Sequence, residues 1–240
     1  MKTKLFVVSD IHGFYTPFRK ALEESGFDEH NEAHVLICCG DLFDRGSENK
    51  KVYDYIKSLQ RKILVRGNHD ERLEEILTQK RINVFDVRNG VIETVEEFFG
   101  VGSVNACGDL RIAEGEEQVK ELCTFVSEMA DYYETEHYIF VHGWIPLEYG
   151  TQRPLTDWRS ADAKAWHKAR FTDWLQFYGI NDMISDKVIV CGHRPTRLAY
   201  SFDSRSLGDS SIYFGDGMIA IDAGTVSSGR VNVLVLEEEL

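Results

Sequence analysis

The chain has 240 residues, 43% of them hydrophobic and 28% charged. These are the proportions of a soluble globular protein, and the length suits one large domain or two small ones. Nineteen glycines against four prolines exclude a collagenous or low-complexity chain, and 27 basic against 40 acidic residues leave a net charge of −13, which repels nucleic-acid phosphates and anionic membranes.

No nucleic-acid or membrane partner is therefore expected, and any phosphate chemistry needs a local pocket that reverses the global sign. The first apolar run, Leu5-Phe6-Val7-Val8, is too short for a signal-peptide core of about 7–15 residues. No run approaches the roughly 18 apolar residues that span a bilayer. A cytoplasmic protein is expected.

One design repeats along the chain: a short apolar run that stops abruptly at Gly, Asp or His. Leu5–Val8 runs into Ser9-Asp10, and Val35–Cys39 into Gly40-Asp41. Ile63–Val65 runs into Arg66-Gly67-Asn68-His69, Tyr138–Val141 into His142-Gly143, and Val188–Cys191 into Gly192-His193. Runs of this length, rich in β-branched residues, predict buried strands. Between them, Phe18, Leu22 and Phe27 mark one helix, and Val52, Tyr55, Ile56 and Leu59 a second. Leu73, Ile76 and Leu77 mark a third. Alternating strand and helix predicts an α/β fold.

Residues 86–135 carry no polar chemistry of note, and Val119, Leu122, Val126, Met129 and Tyr133 predict one amphipathic helix. Residues 144–185 read as an aromatic-rich insertion that holds all four tryptophans. Ser211–Phe214, Gly215-Asp216-Gly217 and Met218–Ile221 predict a hairpin. Arg230–Leu236 predicts a further strand, and together these suggest a second, partly antiparallel sheet. With no linker or repeat, residues 1–240 are expected to form one domain with a cap inserted at about 144–185. Of the five cysteines, Cys38, Cys39 and Cys191 lie inside apolar runs and read as reduced core thiols; neither a disulfide framework nor a CxxC zinc site is expected.

Ligands of open α/β sheets bind beyond the carboxyl ends of the strands. Five such ends here carry Asp10 and His12, Asp41 and Asp44, Asn68 and His69, His142, and His193. Any one of them reads as a turn or helix cap; five together do not. Three carboxylates, four imidazoles and an amide form a nitrogen and oxygen donor set without thiolate, which suits Mn²⁺, Fe or Zn²⁺. There are too many for one catalytic ion and about enough for two. Two ions about 3.5–4 Å apart need a bridging carboxylate and clamp a phosphoryl group for in-line displacement.

Asp10-Ile11-His12, Gly40-Asp41-Leu42-Phe43-Asp44-Arg45-Gly46, Gly67-Asn68-His69-Asp70, His142-Gly143 and Gly192-His193 resemble, in order, the motifs of the calcineurin-like metallophosphoesterases. More narrowly they resemble the phosphoprotein phosphatase branch, which includes bacterial and phage serine/threonine phosphatases and symmetrical diadenosine tetraphosphatases. The resemblance implies a two-sheet α/β sandwich flanked by helices. It implies two divalent ions, Mn²⁺ first, held by Asp10 and His12 on one side and by Asn68, His142 and His193 on the other, with Asp41 bridging. Asp44 would orient His69, the general acid. Arg45 would grip the phosphate, helped by Asn68.

Two departures stand out. Asp70 occupies a position where the branch has Glu, which shortens a hydrogen-bonding side chain beside the ligands. Pro195 stands where many superfamily members place a further His, which favours the phosphatase branch over the nuclease and phosphodiesterase branches. The branch also supplies a second arginine after the His-Gly block. Trp166, Arg170 and Trp174, spaced by four, make Arg170 the expected second phosphate clamp, with Arg153 and Arg159 as fallbacks.

Other residues read less sharply. Arg66 is expected to pair with a core carboxylate, and Asp222 either orients a ligating His or makes a strand-end turn. Trp144, Tyr149, Trp158, Phe171, Phe177 and Tyr178 either stack a nucleobase or form a small apolar core for the cap. Arg194 could extend toward the pocket mouth but is not counted among the expected site residues, and Glu237-Glu238-Glu239 reads as a solvated end.

The expected activity is hydrolysis of phosphomonoesters, phosphoserine and phosphothreonine in proteins included, by in-line attack of a metal-bridging hydroxide. The substrate partner would be a phosphoprotein, a small phosphate ester or a nucleotide. The alternatives are a dinucleoside polyphosphate hydrolase and a catalytically inactive metal-binding scaffold.

Overall fold

The computed structural model describes residues 2–112, 116–177, 187–202 and 208–239. From the N-terminus come β1 (Lys2–Val8), α1 (Tyr15–Ser25), β2 (His34–Cys39), α2 (Asn49–Ser58), β3 (Lys62–Val65) and α3 (Asn68–Gln79). Next are α4 (Val84–Arg88), α5 (Val91–Phe99), α6 (Glu116–Ser127), β4 (Tyr133–Glu134), β5 (Tyr138–Phe140) and α7 (Ala163–Arg170). The chain closes with β6 (Val188–Cys191), α8 (Arg197–Phe202), β7 (Tyr213–Gly215), β8 (Met218–Ala220), α9 (Thr225–Ser228) and β9 (Leu234–Glu239).

Two mixed sheets result. One has strand order β3-β2-β1-β9, and the other β4-β5-β6-β8-β7. β1, β2 and β3 are parallel, as are β5, β6 and β8; β9, β4 and β7 join as antiparallel edges. The period of two along a strand sorts the side chains into layers. Leu5, Val7, Val35, Ile37 and Cys39 of the first sheet meet Phe140, Val190 and Ile219 of the second. The opposite faces, Phe6, Val8, Leu36 and Cys38, pack on the helices with Phe18, Leu22, Val52, Ile56, Leu73 and Ile76. Burial on both faces is why these strands show no polar alternation in sequence.

The expected α/β sandwich is present, with three local differences. The strand at the chain end spans Leu234–Glu239 and pairs antiparallel with β1 in the first sheet, not with the 213–220 hairpin. The helix expected to run through Tyr133 ends at Ser127. Ala130 there accepts from the Arg66 amide at 2.8 Å and donates to the Leu64 carbonyl at 2.9 Å, which draws the chain into extended pairing beside β3, and Tyr133 lies in β4. α7 stops at Arg170, and Trp174 opens a separate 3₁₀ turn, so the spacing of four does not mark one continuous helix. The aromatic segment sits between β5 and β6, where Trp144, Trp158, Trp166 and Trp174 are buried against Ile139 and Ile189 on the outer face of the second sheet. Residues 178–185 of that insertion, Tyr178 among them, lie outside the described residues.

Candidate active site

The parallel strands of both sheets end at one edge, and the turns leaving β1, β2, β3, β5 and β6 converge there. Seven described non-glycine residues have positive φ. All but Lys80 belong to this edge: Asp10 (52°), His12 (50°), Asp41 (55°), Asp44 (74°), Arg45 (71°) and His193 (67°). Such conformations cost of order 1–3 kcal/mol each and persist only where the surroundings over-determine them. The turns also approach each other too closely for side chains. A Cβ on Gly192 would meet Ser9 Oγ at 1.8 Å and Asp10 Oδ2 at 2.3 Å, and one on Gly67 would meet Asp41 N at 2.2 Å.

Asp41 is the centre of the cluster. The donor atoms of His12, Asp41 and His69 lie within 4.8 Å of one another, and so do those of Asp41, His142 and His193. Asp41 Oδ1 is 3.3 Å from His142 Nε2, and Oδ2 is 3.7 Å from His12 Nε2. Both imidazoles are oriented by backbone. His12 Nδ1 donates to the Phe43 carbonyl at 3.0 Å, and His142 Nδ1 to the Cys39 carbonyl at 2.8 Å. Each therefore turns Nε2 inward. Asn68 Oδ1 is 2.9 Å from His142 Nε2. Asp10 Oδ1 lies 3.8 Å from His12 Nε2, while its Oδ2 accepts from Ser9 Oγ and, at 2.9 Å, from the His193 amide.

Beside this cluster, His69 Nδ1 is 2.8 Å from Asp44 Oδ2, and Asp44 Oδ1 accepts from Thr94 Oγ1 at 2.8 Å. Arg45 spans the two imidazoles, with Nη1 2.9 Å from His12 Nε2 and Nη2 2.9 Å from His69 Nε2. Asp70 lies beneath. Its carboxylate accepts from the amides of Asp41 (2.8 Å), Gly67 (2.9 Å) and Leu42 (3.0 Å). The shorter side chain thus still fastens the end of β2 to the start of α3.

The electrostatics fit a cation site. Burial, aided by the Asp41 charge, raises Asp10 to about 6, and burial with Asp41 raises Asp70 to about 6. Burial lowers His12 and His193 to about 3, leaving neutral imidazoles of the kind metals bind. Burial would also lower His69, yet the Asp41 and Asp44 charges outweigh it and raise it. Burial would lower His142 too, yet the Asp41 and Asp10 charges raise it to about 10. Buried carboxylates and imidazoles form a donor set that suits borderline divalent ions.

Nine of the expected site residues come together here: Asp10, His12, Asp41, Asp44, Arg45, Asn68, His69, His142 and His193. Arg170 does not join them. Its buried guanidinium donates to Glu71 Oε1 at 2.9 Å and to Asp131 Oδ1, and it lines neither of the two cavities at this cluster. Two carboxylates hold it as a link between α3, α7 and the chain before β4. The fallbacks do not replace it. Arg159 pairs with Glu134, and Arg153 lies exposed in the turn where its amide meets Thr151. Arg194, not counted among the expected site residues, lines the cleft of about 340 Å³ over the cluster, together with Arg197 and Thr225. Arg66 pairs with Glu74, and Asp222 makes the strand-end turn by accepting from the Gly224 amide at 2.6 Å.

Residues 86–135 do contribute polar chemistry, through Thr94 on Asp44 and through Asp86, which binds Arg72 with both oxygens at 2.8 Å. Nothing in the local pattern singles out Thr94, since its partner is 50 residues away. Trp144 stacks on Phe177 with centroids 4.4 Å apart, so those rings serve the apolar core of the insertion, whereas Phe171 is half exposed beside His193.

The family model for calcineurin-like phosphoesterases matches residues 3–221. A protein named bis(5'-nucleosyl)-tetraphosphatase, symmetrical, from Buchnera aphidicola subsp. Acyrthosiphon pisum (strain 5A), is 40% identical over 86 residues, which make up 34% of this chain and 31% of that protein. The alignment thus spans about a third of either chain. Among solved structures, a protein serine/threonine phosphatase from Saccharomyces cerevisiae superposes with a TM-score of 0.62 at 14% identity, covering 99% of this chain and 80% of the other. The cold-active protein-tyrosine phosphatase of a psychrophilic Shewanella superposes with a TM-score of 0.59 at 15% identity, covering 98% and 75%. At these identities the superpositions speak for the fold.

Proposed function

The chain belongs to the calcineurin-like phosphoesterase family, and from that membership we propose that it is a metal-dependent phosphatase that hydrolyses phosphomonoesters. The observation that carries this reading is the sharing of Asp41 between two ligand groups, with a His-Asp pair alongside. Asp10, His12 and Asp41 would hold one divalent ion, and Asp41, Asn68, His142 and His193 a second, Mn²⁺ first among the candidates. Bound there, the ions supply an activated water and neutralise charge on the phosphoryl oxygens.

The remaining work falls to the chain itself. Arg45 offers two guanidinium nitrogens at the middle of the cluster, the geometry that suits phosphoryl oxygens, and Asn68 adds its amide. Asp44 accepts the Nδ1 proton of His69, so in the imidazolium form the second proton, at Nε2, is the one His69 delivers to the leaving oxygen. Thr94 keeps Asp44 in place for that task. A second reading, dinucleoside polyphosphate hydrolysis, is favoured by the names of curated relatives from Buchnera, Aeromonas and Proteus, each matched over a minor part of its length.

The test is a substrate panel on purified protein loaded in turn with Mn²⁺, Co²⁺, Zn²⁺ and Mg²⁺. Phosphate release from phosphopeptide and small monoesters, lost on chelation and restored by metal, is expected. Hydrolysis of diadenosine tetraphosphate alone would favour the second reading. Two bound ions without turnover of any ester or anhydride would favour an inactive scaffold.

A further inference from the structure

We propose that Phe85 and Phe171 flank a subsite for a planar aromatic ring carried by the leaving group. This rests on the phosphatase reading above. Beside the 340 Å³ cleft lies a second cavity of about 230 Å³, and the two share Asn68 and His69 in their walls. His69 is the group that would protonate the leaving oxygen, so whatever departs from a phosphoryl in the cleft is directed past His69 into this cavity. Asp44 lines it too, on the far side of the same imidazole.

Two phenylalanines from separate parts of the chain line this cavity. Phe85 of α4 is 67% exposed, and Phe171, just past α7, is 50% exposed. Two exposed rings bordering one cavity offer apolar surface that a ligand can cover. Phe171 packs against His167 with centroids 5.2 Å apart and meets His193 at 6.3 Å with the ring planes at 80°. A ring in the cavity would be met by aromatic surface from either wall.

Among its described lining residues no arginine or lysine is free for a second phosphate. Arg72 is engaged by Asp86 through two bonds of 2.8 Å and by Glu75 at 2.7 Å. Asn83 and Asn89 are the other polar neighbours. At 230 Å³ the cavity is smaller than the roughly 300–1,000 Å³ of whole-ligand pockets, so it suits one moiety of a substrate whose phosphate lies in the cleft. The shared chemistry is a planar π-system, and it has two sources: a phenol-type ring bonded directly to the phosphate oxygen, or a nucleobase one sugar away.

The experiment compares phenyl phosphate, adenosine 5'-monophosphate and β-glycerophosphate on the metal-loaded enzyme and on Phe85→Ala/Phe171→Ala. Both rings are exposed, so the variant is expected to keep its melting temperature. The preference in kcat/KM for the ring-bearing ester over β-glycerophosphate should fall about tenfold, within the usual range for loss of stacking on an aromatic side chain. A fall confined to phenyl phosphate assigns the site to a directly bonded ring, and one confined to the nucleotide assigns it to a base. An unchanged preference overturns the proposal. If the wild type hydrolyses none of the three, the phosphatase reading fails instead, and calorimetric binding of phenyl phosphate and the nucleotide, weakened or not by the double variant, still decides the subsite.

Discussion

His69 shows how one side chain acquires a role from its neighbours. Asp44 takes Nδ1, Thr94 holds Asp44, and Arg45 faces Nε2. A general acid matters in proportion to how badly the leaving group needs a proton. Nitrophenolate leaves nearly unaided, and an alkoxide does not. His69→Asn should therefore keep two metals and cost little with p-nitrophenyl phosphate, yet lower kcat/KM for an alkyl phosphate by about 10²–10⁴-fold. Asp44→Asn should follow the same trend more weakly, since it acts through His69. An equal loss across leaving groups would make His69 a phosphoryl-binding residue, and loss of metal would make it a ligand, as its place in one donor cluster allows.

At the scale of elements, Arg170 and Glu134 tie the aromatic segment between β5 and β6 to the rest of the fold. Arg170 brings Glu71 of α3 and Asp131 to the end of α7. Removing one partner of a buried pair costs about 3–5 kcal/mol. The side chain of Asp131 is 39% exposed, so Arg170→Ala should cost about 2 kcal/mol in denaturant unfolding, with both metals kept. Normal stability with slow monoester turnover would instead restore Arg170 as a phosphate clamp. Glu134 of β4 binds Arg159 at 2.6 and 2.7 Å and Lys187 at 2.8 Å. The Arg159 hydrogen bond, with help from Lys187, lowers its carboxyl from 4.5 to about 2. A depressed folded value gives stability that is present above pH 4.5 and disappears as pH falls toward 2. The difference in melting temperature between wild type and Arg159→Ala should be open at pH 6 and narrow by pH 3. A gap that persists at pH 3 would mean the pair acts by packing.

For the molecule as a whole, a chain of net charge −13 gathers Asp10, Asp41, Asp70 and Asp222 into one buried region. Cations bound there stabilise the folded state by mass action, because the unfolded chain has no such site. Chelation should lower the melting temperature by several degrees as well as abolish turnover, and Mn²⁺ should restore both. Asp41→Asn should leave fewer than two ions per chain by metal analysis, since an amide cannot neutralise two cations. Full dinuclear occupancy at an unchanged rate would remove Asp41 from the bridging position.

The sequence by itself determined the sheet core and the residues that cluster at its edge, and the reason is local. Strands buried on both faces must be continuous apolar runs, and ligands that meet at one sheet edge must directly follow those runs, so Asp10, Asp41, Asn68, His142 and His193 announce themselves by position. Gly67 and Gly192 are legible beside them, because turns this close leave no space for a Cβ. Tertiary structure alone decided the rest. Thr94 reaches Asp44, Glu71 and Asp131 claim Arg170, and β9 joins β1. Each of these is a contact between residues far apart in the chain, between groups whose local periodicity is the same whether or not the partner is there. Arg170 is the instructive case: a buried guanidinium binds whichever anion packing brings to it, and here packing brings two carboxylates.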